Sequence, residues 1–197
     1  LVGQIGVLTN VVLIGGGWQS GYHTNGITIG GWMRLATNRP AVRAIASEYL
    51  DVGTGQVTTR NGFSFYMSTL SRLEWYINYN NGNAYRGRVT ANNILTDTGR
   101  WYHVAATWRC NGNLTNSLDY AIYIDAVRID SANYQAGTPT NNPALTNWLQ
   151  LGNADLSGAG LAFNAGVEGD GDEWVMYSRA LTGTEITNLM NATRGTK

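Results

Sequence analysis

Lysine is all but missing from this chain, with Lys197 its only example. Charged residues make up 13% of the sequence and the formal net charge is +0, so neither nucleic acid nor an anionic membrane has an electrostatic reason to bind. The arginines are scattered and build no basic patch; their dominance over lysine suits bidentate and stacking contacts at protein or glycan interfaces. A single cysteine, Cys110, excludes an internal disulfide. It ends an alternating stretch and reads as a small buried hydrophobe rather than a reactive thiol. No apolar run is long enough to cross a bilayer, which argues against membrane insertion, and no signal-peptide pattern stands at the front. The chain begins at Leu1 without Met, as a processed form or an excised domain would. Repeats of solenoid length, heptads, a P-loop, zinc-ligand spacing and Ser-His-Asp or Cys-His constellations are all missing. His23 has no second His or Cys nearby and reads as a solvated side chain.

What is abundant is the material of a turn-rich β protein: Gly 25, Trp 7 and Tyr 11 in 197 residues, a length that one sandwich domain over 1–197 accounts for. VVLI at 11–14 is a buried-strand pattern. Ile27 to Leu35 is apolar on both alternating faces, as in a strand between two layers. Val42 to Val52 reads as a strand with a loop. Phe63, Phe65 and Met67 alternate with Ser64, Tyr66 and Ser68. Leu73, Trp75, Ile77 and Tyr79 alternate with Glu74, Tyr76 and Asn78, and Asn80-Asn81-Gly82 then turns the chain back through Tyr85, Arg86 and Arg88. Trp101 to Cys110 alternates again, with His103 on one face and Val104 and Trp108 on the other. Tyr120 to Ile129 is a hairpin about Asp125-Ala126, Ala132 to Thr146 a long polar loop, and Trp148 to Leu151 a short strand.

One helix is predicted, near 183–191. Thr182 and Glu185 stand three apart as a capping box, and Ile186, Leu189 and Met190 form one apolar stripe. Ahead of it, Phe163 to Glu173 reads as an acidic, glycine-rich loop opening a short strand from Trp174 to Tyr177.

DEWVMYSRALTGTEI (172–186) resembles the closing motif of laminin-G-like, concanavalin A-like lectin/glucanase domains. ITIGGWMR (27–34) resembles the family's early strand, and GRWYHVAATW (99–108) with YAIYIDAVRID (120–130) its central strand and hairpin. The similarity spans residues 27–190 and leaves 1–26 divergent. It implies an all-β, two-sheet antiparallel jelly-roll sandwich with one short C-terminal helix, a structural role for His103, and Trp174, Trp108 and Val104 in or beside the inter-sheet core.

Two clusters could carry function. Tyr76, Asn78, Tyr85 and Arg86 offer aromatic rings and hydrogen-bonding groups, the combination that stacks and orients a sugar; the alternative is a solvated face bearing β-favouring tyrosines. Glu168, Asp170, Asp172 and Glu173 are the one dense acidic site. Asp170, Asp172 and Glu173 are the candidate ligands for Ca2+, a hard cation that takes several oxygens, and the resemblance implies the same; the alternative is a solvated loop. Glu168, Asp170 and Glu173 also fall at the E-x-D-x-x-E spacing of jelly-roll glucanases, but Gly169 and Gly171 blur which side chains share a face. The expected function is therefore a non-catalytic binding or adhesion module that recognises a glycan or surface protein, on an extracellular, cell-surface or virion protein. The alternatives are an assembly subunit working through homo-oligomeric contacts and, third, a glucanase-type hydrolase.

Overall fold

Alternating side chains commit most of the described residues to strands with two distinct faces, and the faces are filled differently in the two sheets. A computed structural model describes residues 12–14, 26–37, 43–47, 62–79, 84–109, 119–138, 149–152 and 168–195. Among them the strands are β1 (Val12–Ile14), β2 (Ile27–Leu35), β3 (Arg43–Ser47), β4 (Gly62–Met67), β5 (Leu73–Tyr79), β6 (Ala84–Thr90), β7 (Trp101–Trp108), β8 (Tyr120–Ile124), β9 (Val127–Arg128), β10 (Asp130–Ala136), β11 (Leu149–Leu151) and β12 (Gly169–Tyr177), closed by α1 (Gly183–Thr193). They form a seven-stranded sheet in the order β1-β11-β3-β4-β5-β6-β10 and a five-stranded sheet in the order β12-β2-β7-β8-β9. Every pairing is antiparallel, giving the jelly-roll sandwich expected from the sequence.

The core lies between the sheets. Phe63, Phe65, Leu73, Trp75 and Ile77 from one meet Ile27, Ile29, Met33, Val104, Trp108, Ile122 and Trp174 from the other. The indole N–H of Trp75 donates 2.9 Å across this layer to the carbonyl of Thr107, so this core ring leaves no donor unpaired. Trp174 reaches the core because Gly31 opposes it: a Cβ there would stand 2.6 Å from Trp174 Cδ2.

The outer face of the five-stranded sheet is covered by α1 and the turn ahead of it, through Ile186 and Leu181 against Ala105, Ala121 and Tyr123. This second apolar layer explains why β2 is buried on both faces. The helix begins where its capping box predicts, with the Glu185 N–H on Thr182 Oγ1 at 3.3 Å and the Thr182 N–H on Glu185 Oε2 at 2.8 Å. Thr28 ties the preceding turn to the sheet, donating from its hydroxyl to the Arg179 carbonyl and accepting from the Leu181 N–H, both at 2.8 Å. The chain crosses between sheets at Asp130, whose carboxylate receives Arg128 Nε at 2.7 Å and Arg88 Nε at 2.6 Å. Burial opposes the charge on Asp130, but the hydrogen bonds from Arg128 and Arg88 outweigh it and hold the carboxyl below its ordinary range.

Two expectations are corrected. Part of the segment read as a polar loop, 132–146, belongs to β10, which pairs with β6. As an edge strand whose Ser131, Ala132, Asn133, Gln135 and Ala136 are exposed, it has no apolar alternation to betray it. The acidic stretch is likewise strand rather than loop from Gly169 onward: β12 pairs with β2 from Gly169 opposite Leu35, and a bulge falls between Asp172 and Val175, where Glu173 takes φ 52°. His23, Cys110, the Asn80-Asn81-Gly82 turn and Trp148 lie outside the described residues.

Candidate functional site

The outer face of the seven-stranded sheet carries no helix among the described residues, and three tyrosines run across it. Tyr66 on β4, Tyr76 on β5 and Tyr85 on β6 stand on neighbouring strands, stepped diagonally because Tyr76 pairs with Ser64 on one side and Gly87 on the other. Ring centroids are 5.6 Å apart from Tyr66 to Tyr76 at 89°, and 5.6 Å from Tyr76 to Tyr85 at 47°. All three rings are half-buried, with small Ser64 and Gly87 between them. Such a row presents wide, stiff apolar area with a hydroxyl on each ring, the chemistry that holds a sugar ring by stacking and orients it by hydrogen bonds.

Of the four residues picked out there by sequence, the structure brings Tyr76 and Tyr85 together. Asn78 pairs by backbone with Tyr85 and Gly62, and its side chain lies outside the described residues. Arg86 is not on the tyrosine face. It pairs with Ile77, is 8% exposed, and donates through Nη1 to the carbonyls of Tyr85 and Ala136 and through Nη2 to that of Gly137, tying β6 to the end of β10. Adjacent strand residues face opposite ways, so Tyr85 and Arg86 cannot share a face. Tyr66, which the sequence reading did not include in the cluster, joins it because β4 pairs with β5; its alternation with Phe65 was the available signal.

Three of the acidic residues have separate partners. Asp170 receives Arg34 Nε at 2.9 Å, and Arg34 in turn lies 5.2 Å from the Trp101 ring centroid. Glu168 accepts from Thr37 Oγ1 at 3.1 Å. Asp172, 7% exposed, accepts the Glu173 N–H at 2.9 Å within the bulge. Among the described residues no three His, Cys, Asp or Glu side chains converge as a metal site would require. Asp170 and Glu173 stand three apart, which regular alternation would put on opposite faces, and the bulge between Asp172 and Val175 resets that alternation.

His103 is fully buried on the helix side of the five-stranded sheet, edge-on to Trp32 at 5.3 Å, and neither ring nitrogen has a hydrogen-bond partner among the described residues. Burial lowers its pKa to about 4, against the opposing pull of Asp125. It packs as a neutral ring.

The sequence matches the model of the concanavalin A-like lectin/glucanases superfamily over residues 10–187. The chain belongs to that superfamily. No curated protein sequence matches it. Among solved structures, the CBM40 of Ruminococcus gnavus IT-sialidase bound to α2,3-sialyllactose aligns with a TM-score of 0.57 at 12% identity, over 95% of this chain and 95% of that one. The native heptameric SAP-like pentraxin of Limulus polyphemus aligns at 0.51 and 15% identity, over 91% and 81%. The NanB sialidase of Streptococcus pneumoniae aligns at 0.57 and 12%, over 95% of this chain but 27% of its own length. At these identities the likeness is one of fold. Within it, this superfamily member keeps a two-sheet sandwich, one face of which bears three tyrosines and no helix among the described residues.

Proposed function

We propose that the chain is a non-catalytic carbohydrate-recognising module, working on an extracellular, cell-surface or virion protein, that takes its glycan on the row Tyr66–Tyr76–Tyr85. The observation that carries this is the pair of equal 5.6 Å ring steps across three adjacent strands, on a sheet face that carries no helix among the described residues. The fold's kinship with a carbohydrate-binding module supports it. The engagement of Asp170 by Arg34 and of Glu168 by Thr37 supports the non-catalytic reading. A glycan array probed with wild type and Tyr76→Ala tests it: a defined set of bound glycans lost in the variant is the expected result. A silent array with multimers on sizing would instead favour homo-oligomeric assembly. Calcium at Asp170, Asp172 and Glu173 is a separate proposal, since an ion there has to take Asp170 from Arg34.

A further inference from the structure

A cleft of about 450 Å3 opens on the other side of the sandwich, where the C-terminal end of α1 meets the start of β7. The residues that line it include Trp32, Trp101, Met190, Arg100, Arg194 and Asp125. We propose that this cleft is a second ligand site, and that it takes a carboxylated sugar ring such as a uronic acid residue.

The charges point to an anion. Arg100 is ion-paired to Asp125 and Arg34, behind Trp101, to Asp170, so those charges cancel. Arg194 has no ion pair among the described residues, which leaves one positive charge at the rim. A guanidinium matches a carboxylate in bidentate geometry.

The walls point to a ring rather than a bare ion. Trp32 spends its indole N–H on Thr193 Oγ1 at 2.9 Å, so the small part of it that is exposed, 4%, is apolar. Trp101 is half-buried, with Arg34 over its ring. The volume is in the range of small-molecule sites, about 300–1,000 Å3, and far exceeds what a lone carboxylate fills. Asp125 is fixed by the His103 N–H at 3.0 Å and by Arg100, and its carboxylate stands ready to accept from sugar hydroxyls. The site shares no residue with the tyrosine row, and the two stand or fall separately.

The test is calorimetric titration of the full chain, followed in parallel by tryptophan fluorescence, with sodium glucuronate, glucose and sodium acetate. Glucuronate is expected to bind saturably, with glucose and acetate each at least about tenfold weaker. Arg194→Ala is expected to weaken glucuronate about tenfold. Its melting temperature should be unchanged, because Arg194 is exposed at the helix end. Arg194→Lys should keep part of the affinity, and Tyr76→Ala all of it. Absence of saturable glucuronate binding, equal affinity for glucose, or loss in Tyr76→Ala instead of Arg194→Ala would overturn the proposal. So would a peptide with a free C-terminus that outcompetes glucuronate.

Discussion

Tyr76 sits directly across from Gly87, and the pair leaves no room for another carbon: a Cβ on residue 87 would stand 2.5 Å from Tyr76 Cβ and 1.9 Å from the Trp75 carbonyl oxygen. The glycine leaves room for Tyr76 at the centre of the row. Gly87→Ala is therefore expected to cost about 1–3 kcal/mol by overpacking. Denaturant unfolding checks it, and an unchanged midpoint would show that the strands give way freely.

Trp108 stacks on Tyr120 at 6.2 Å and is 3% exposed, in the layer between the sheets. Trp108→Ala should cost about 3–5 kcal/mol through lost burial and the cavity left behind. Near-wild-type melting of that variant would contradict the placement.

The histidine at the heart of the helix-covered face makes stability depend on pH. Its folded pKa, about 4, lies below the ordinary 6.5, so the unfolded chain takes up the proton first. Stability from this group is then complete above pH 6.5 and is lost as pH falls from there toward 4. The loss is on the order of 3 kcal/mol. His103→Phe is expected to flatten that window in chemical denaturation at stepped pH. Glu185, whose hydrogen bonds from Arg179 and Thr182 hold its pKa at about 2, acts lower, between pH 4.5 and 2.

Much of this architecture was legible in residues. The capping box Thr182–Glu185 marked the helix, and the two apolar faces of Ile27 to Leu35 marked a strand with layers on both sides. What escaped was set by partners. Gly169 and Gly171 look like loop in isolation, yet backbone pairing with β2 makes them strand, with the bulge at Glu173 turning Trp174 inward. Asp130 to Ala136 carries polar side chains because an edge strand needs only one neighbour. The tyrosine row was half visible: alternation put Tyr76 on one face, but only strand pairing brings Tyr66 to it and sends Arg86 to the other side.

For calcium at Asp170, Asp172 and Glu173, the expected outcome is a melting point higher in millimolar Ca2+ than in EDTA, and lost in Asp172→Asn. Binding at a hundredfold excess over Kd stabilises by about 2.7 kcal/mol, a shift of roughly 5–10 °C. Equal midpoints, with no calcium found by elemental analysis, would leave the Arg34–Asp170 pair as the purpose of that carboxylate.

The most direct measurement is the affinity of Tyr76→Ala and Tyr85→Ala for the best glycan found on the array, measured by calorimetry against wild type. If the row is the binding platform, each variant loses about 1–3 kcal/mol, the usual worth of a well-packed aromatic contact, and keeps its fold by circular dichroism. Wild-type affinity in both folded variants would contradict the assignment of this face.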